Sequence, residues 1–331
     1  MELYLDFACE WWNSLYGVRF DRDYYFDPDI NISRRRLMDA ALRERFPWYD
    51  EYRPDAPVYS AEPFGHRFIP AMFGCEIAYA DAAAPWAENH ILSPEAIEAM
   101  PMLSTDEYAR DEKVKTVAEL TGYARKKYGR CHGGQNLGSV MNTAIYLRGM
   151  DLFTDFYERP AAVEKLFGLI TNRMILSYEY GAALDGSYPD TGVGNCAVCM
   201  ISPEIYENFV YRHDRAMMEL AARHNVRFGV HHDSDATPYI GCYRRFEYLH
   251  HFDVGCETDI RSYRENFPGA TLNIYLYTHF LAERTSAGII RDVAGLAALS
   301  GDRSLTRFTC ADIDSGVPDE KVNALYEAVK K

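Results

Sequence analysis

Two histidines and two acids end an apolar run at Val226-Arg-Phe-Gly-Val-His-His-Asp-Ser-Asp-Ala-Thr-Pro238. Imidazole and carboxylate are metal ligands and proton carriers, and His231-x-Asp233 sets one of each two residues apart, a spacing from which both can face one cavity. Further residues of the same chemical kinds stand where other apolar runs stop: Asn195 and Cys196, Cys256 and Glu257, Tyr277 and His279, and Cys310. Cys310 offers a thiolate, and Glu257 either a fourth ligand or a partner that orients a histidine. Against this, Asp235 reads as a helix cap. Cys196-x-x-Cys199 lacks the second pair that a zinc ribbon needs. His250-His251 reads as a cationic helix end, and the Arg34-Arg35-Arg36 run as a solvated helix face that could touch an anionic ligand.

The elements that must position these residues follow from periodicity. From about residue 190 the pattern alternates strand and helix five times: strands at 191–198, 226–231, 252–256, 271–277 and 305–310, and helices at 202–224, 237–250, 260–266, 286–299 and 319–329. Ser202 as cap with Pro203 at the first helical position marks a start. Such alternation implies a parallel sheet, and no glycine fingerprint for a dinucleotide opens its first unit. The class expected is therefore α/β, a (β/α)8 TIM barrel, whose strand ends converge on one pocket. Upstream, the sequence predicts a helix over 2–16, a loop over 17–32, a helix from Ser33 to about 46, short strands at 67–73 and 75–80, and a helix over 105–128. This divides the chain into an N-terminal helical extension, 1–60, packed on a barrel domain, 61–331.

Composition bounds the function. In 331 residues, 49 acids against 35 basic residues give a net charge of -14, which disfavours a nucleic-acid partner. The first residues lack the basic region of a signal peptide, and no apolar run is long enough to span a bilayer. Eight cysteines scattered through a long chain do not form a secreted disulfide framework, so a cytoplasmic location is expected.

Residues Asn195 to Phe209, with Ser202-Pro203-x-x-Tyr206-x-x-Phe209, resemble the Asp…Ser-Pro-x-x-Tyr-x-x-Phe motif of the uroporphyrinogen decarboxylase superfamily. His231-His-Asp-Ser resembles the His-x-Cys-Gly element of its corrinoid-dependent methyltransferase branch. Cys310 followed by Gly316-Val-Pro-Asp-Glu-Lys-Val-Asn-Ala-Leu resembles that branch's late cysteine, and Gln135 with Leu147-Arg-Gly matches the family's spacing. The resemblance implies a (β/α)8 barrel that binds a substrate over zinc and docks a corrinoid protein. Carried over, the ligands fall on His231, Asp233 and Cys310, with Asp233 standing where the branch has cysteine. Asn195 replaces an aspartate of the decarboxylases, and their Arg-Gln-Ala-Gly-Arg-type motif is absent, so decarboxylation of uroporphyrinogen itself is not expected.

The expectation is a metal-assisted methyltransferase. A methyl group passes between a methoxyl or thiol compound and cobalamin on a partner protein. His231, Asp233 and Glu257 are the catalytic candidates, and Asn195, Cys196, Tyr277 and Gln135 contact substrate. The alternatives are a decarboxylase or lyase using His231 and Asp233 as acid and base, and a non-catalytic tetrapyrrole-binding barrel. A homodimer is a further option.

Overall fold

The computed structural model describes residues 1–48 and 59–330. Among these, eight parallel strands build the (β/α)8 barrel. Six are hydrogen-bonded in the order Glu2–Phe7, Thr306–Ile313, Thr271–Tyr277, His251–Gly255, Phe228–His232, Thr191–Gly194. The other two, Tyr59–Ser60 and Cys131–His132, form a separate parallel pair. The first strand in the chain lies against the last, as closure of a barrel requires.

Residues 2–7 therefore correct the expected organisation. They are a barrel strand and not the start of a helix, so the barrel does not begin at residue 61. The alternation in Glu2-Leu-Tyr-Leu-Asp-Phe has period two, and the helix begins only at Cys9. The 17–32 stretch is not a loop either. Asp27 accepts from the backbone N–H groups of Asp29 and Ile30, Pro28 opens the turn, and one helix runs over Pro28–Arg45. Residues 68–72 form a helix where a strand was expected. The helix expected over 237–250 is a 3-10 turn and one short helix, Ile240–Tyr243, which ends at Arg244, and the next strand starts at His251. His250-His251 thus does not end a helix.

An aromatic seam ties both chain ends to the barrel. Phe7, Trp11, Trp12 and Phe46 are buried, with Phe7 and Trp11 ring centroids 4.4 Å apart. Each such side chain contributes about 1.5–3 kcal/mol by leaving water. Trp48 stacks on Tyr326 of the last helix, Asp319–Lys330, with centroids 4.2 Å apart, and Arg45 Nε donates to both carboxylate oxygens of Asp319 at 2.9 Å.

Strand alternation sorts the residues into two sets. Phe228, Val230, Phe252, Val254, Leu272, Ile274, Leu276, Phe308 and Cys310 are buried toward the helices. His231, His251, Asp253, Asn273, Tyr275, Tyr277 and Thr309 alternate with them and point inward. Glycines keep the inside open, and at Gly192 an added Cβ would lie 2.4 Å from the carbonyl oxygen of Gly229. Gly192→Ala is therefore expected to force the two strands apart and cost about 1–3 kcal/mol in chemical denaturation. Gly241→Ala, which meets nothing within 4 Å, serves as the control.

Candidate functional site

The inward side chains line a cavity of about 1160 Å³ that runs along the barrel axis. At its mouth lie Cys196, His231 and Asp233. One donor atom from each of the three falls within 4.8 Å of the other two. His231 comes from the end of its strand and Asp233 from the residue just past it. Cys196 comes from a 3-10 turn, Cys196–Met200, seated by the Asn195 N–H donating to the His231 carbonyl at 2.6 Å.

Asp253 holds His231 in place from the neighbouring strand. His231 Nδ1 donates to Asp253 Oδ2 at 2.9 Å, which turns Nε2 toward Asp233 Oδ2 at 3.5 Å. The other oxygen of Asp253 meets His251 Nε2 at 2.5 Å and Asn273 Nδ2 at 2.8 Å, and Thr309 Oγ1 donates to Asn273 Oδ1 at 3.0 Å. The Tyr277 hydroxyl donates to Asp233 Oδ2 at 2.5 Å. Burial disfavours charge on His231, but hydrogen bonds to Asp233, Asp253 and Cys196 outweigh it and raise the ring above its ordinary value. Burial likewise pushes the two carboxyls up, and their bonds to His231 overcome it. Asp233 falls to about 2, with Tyr277 assisting, and Asp253 lies well below the usual range.

Several expected site residues are placed here. His231, Asp233, Tyr277, Cys196 and Gln135 all line the cavity. Gln135 Nε2 donates to the Ala61 and Gly133 carbonyls, and its Oε1 has no partner among the described residues.

Three others are not. Cys310 pairs in register with Leu5 and Leu276, and its thiol is buried toward the helices, while Thr309 and Ala311 face the cavity. Cys196, and not Cys310, stands with His231 and Asp233 in the group whose donor atoms converge. Asn195 is buried behind the wall, its Nδ2 donating to Asp214 Oδ2 at 2.7 Å, so it does not reach a substrate. Glu257 is exposed past its strand, beside Cys256 Sγ at 3.4 Å, and lies off the cavity wall.

Conversely, Asp253, His251, Asn273 and Tyr275 were missed. Their signal was present as polar residues at every second position of otherwise apolar strands. His232 faces the other way. Its Nδ1 lies 2.8 Å from the Tyr243 hydroxyl, and burial pushes it down to about 4, so it is neutral.

Behind Cys196, the Asp214 carboxyl is fully enclosed with Asn195 and Tyr206 both donating to Oδ2. Burial raises it to about 7, against an ordinary value of 3.8, and those two hydrogen bonds only partly offset the burial. The folded state therefore binds this proton more tightly than the unfolded chain. The stability it contributes is complete below about pH 4 and is lost as pH rises through about 7. Asp214→Asn is expected to flatten the unfolding free energy across that window, measured by denaturant titration at stepped pH.

A model of the family Uroporphyrinogen decarboxylase (URO-D) matches residues 47–331. No curated protein matches the chain in sequence. Among solved structures, a methyltransferase from Methanosarcina mazei superposes with a TM-score of 0.69 at 15% identity, covering 99% of this chain and 91% of that one. That likeness is one of fold. No described helix is long and apolar enough to cross a membrane.

Proposed function

The chain belongs to the uroporphyrinogen decarboxylase family, and from that premise we propose that it is a methyltransferase acting at the Cys196–His231–Asp233 cluster. A methyl group moves between the oxygen or sulfur of a small methoxyl or thiol compound and a corrinoid carried by a partner protein. The observation that supports this reading is the cluster itself, with three ligand atoms mutually within 4.8 Å at the mouth of an open cavity.

The donor set fits zinc. Thiolate, imidazole and carboxylate are all zinc ligands, and three protein donors leave a fourth position for substrate, the pattern of catalytic sites. Zinc held there supplies Lewis acidity, lowering the pKa of a thiol or polarising a methoxyl oxygen. The rest is done by this chain's own groups. Asp253 fixes the His231 ring through Nδ1 and presents Nε2 to the cluster, as a carboxylate does behind a metal-binding histidine. Tyr277 fixes the Asp233 carboxylate. Tyr275 packs edge-on to His231, with ring centroids 4.9 Å apart, and limits its rotation. Gln135 lines the same cavity, its amide held by the Ala61 and Gly133 carbonyls.

A decarboxylase or lyase reading is favoured by one observation. Without a metal, Asp233 and Asp253 favour the protonated form of the His231 ring, and positive charge at a cavity mouth attracts a carboxylate.

Metal analysis separates the two. About one equivalent of zinc per chain is expected. Cys196→Ala should lose it and abolish methyl transfer to free cobalamin, followed by absorbance. Cys310→Ala should keep the metal and lose only packing stability. A metal-free native protein that retains activity as Cys196→Ala would sink the methyltransferase reading. Asp253→Asn is expected to weaken zinc binding by about 10–100-fold through misorientation of His231.

A further inference from the structure

A second chamber of about 460 Å³ opens beside the main cavity, between the strand Glu2–Phe7 and the helices that follow it. Asp6, His66 and Ala84 line both spaces, so the two are adjoining compartments. One wall is aromatic, formed by Trp12, Phe20, Tyr24 and Tyr25. The other carries Arg35 and Glu62.

Arg35 lies on that second wall. Its two neighbours in the arginine run do different things: Arg34 pairs with Asp21 at 2.8 Å, and Arg36 is exposed. Arg35 turns inward and makes no hydrogen bond or ion pair with the described residues. Glu62 also lines the chamber and has no hydrogen-bond or ion-pair partner for its carboxyl among the described residues. Burial raises that carboxyl, and Arg35 pulls it part of the way back. Asn31 is 6% exposed. Its Nδ2 donates to the Tyr24 carbonyl, while its Oδ1 has no partner among the described residues.

Among the described residues, a guanidinium and a carboxyl that attract each other without forming an ion pair, and an amide oxygen with no partner, surround this space, and each gains from a ligand that completes it. The guanidinium asks for an anion, and the two acceptors ask for an N–H donor, best a cationic one. A carboxylate bearing an adjacent ammonium satisfies all three. The reactive end of such a molecule then lies toward the Cys196–His231–Asp233 mouth.

We propose that this chamber is the specificity subsite of the enzyme and that it binds the α-amino-acid end of the substrate, with Arg35 on the carboxylate and Glu62 and Asn31 on the ammonium. The choice of a methyl ether as the other end rests on the methyl-transfer reading above; the chamber itself does not.

The test is calorimetric titration of the full chain with O-methyl-L-serine, 3-methoxypropanoate and 2-methoxyethylamine. These share the methoxyl and differ only in the amino and carboxylate groups. Saturable binding of O-methyl-L-serine is expected, at least about tenfold tighter than either analogue, because each analogue leaves a buried group unpaired. Arg35→Ala, checked for native circular dichroism, should weaken it by about tenfold or more. Glu62→Gln should erase the preference for O-methyl-L-serine over 3-methoxypropanoate.

Cys196→Ala should retain the binding. If the protein proves metal-free yet this pattern holds, the chamber stands and the methyl-transfer reading falls. Absence of saturable binding, equal affinity for the three compounds, indifference to Arg35→Ala, or loss of binding in Cys196→Ala would each overturn the proposal.

Discussion

Asp253 sits inside the barrel with one oxygen on His231 and the other shared by His251 and Asn273. A carboxylate in such a place must be fully paired or it unfolds its surroundings. The pairing dictates much of what lies around it. His231 has to enter from one neighbouring strand and Asn273 from the other, and Thr309 completes the amide from the strand beyond. The imidazole that reaches the mouth is therefore aimed from below. Its Nε2 faces Cys196 and Asp233 because Nδ1 is already committed.

This polar layer explains why the barrel is hollow. An ordinary barrel fills its axis with branched apolar side chains. Here the inward positions of the strands include glycine, histidine, aspartate, asparagine, threonine and tyrosine, and a cavity of about 1160 Å³ remains. The apolar set lies on the opposite face of every strand, against the helices. Stability is gathered there and at the aromatic seam that binds Phe7, Trp11, Trp12 and Phe46 together. At the exit of the last strand, Asp312 adopts φ 54°, and the register against the first strand shifts by a residue. The shift turns Asp312 toward the cavity.

The regular C-terminal half was legible because its strands and helices have clean periods and start signals. The helix Ile260–Asn266 and the strand Thr271–Tyr277 fall where periodicity places them. The N-terminal half was not, because Glu2–Phe7 is too short to assert a strand alone and, among the described residues, finds its strand partner in Thr306–Ile313, about 300 residues away. Reading strand ends singled out His231, Asp233 and Tyr277, which line the cavity. It overlooked the layer beneath, where Asp253 and His251 lie at the middle and start of a strand.

The sequence by itself determined the parallel α/β class and the family likeness, and it singled out His231 and Asp233 as candidates. These depend on local pattern: period, caps and motif spacing. Which cysteine joins the pair was decided by tertiary structure alone. Cys310 and Cys196 are equal as thiols, but strand parity sends Cys310 outward to the helices, while the turn after Gly194 carries Cys196 over the mouth. A shift of one residue along a strand reverses the face a side chain occupies, and only the closed barrel fixes which face is inside.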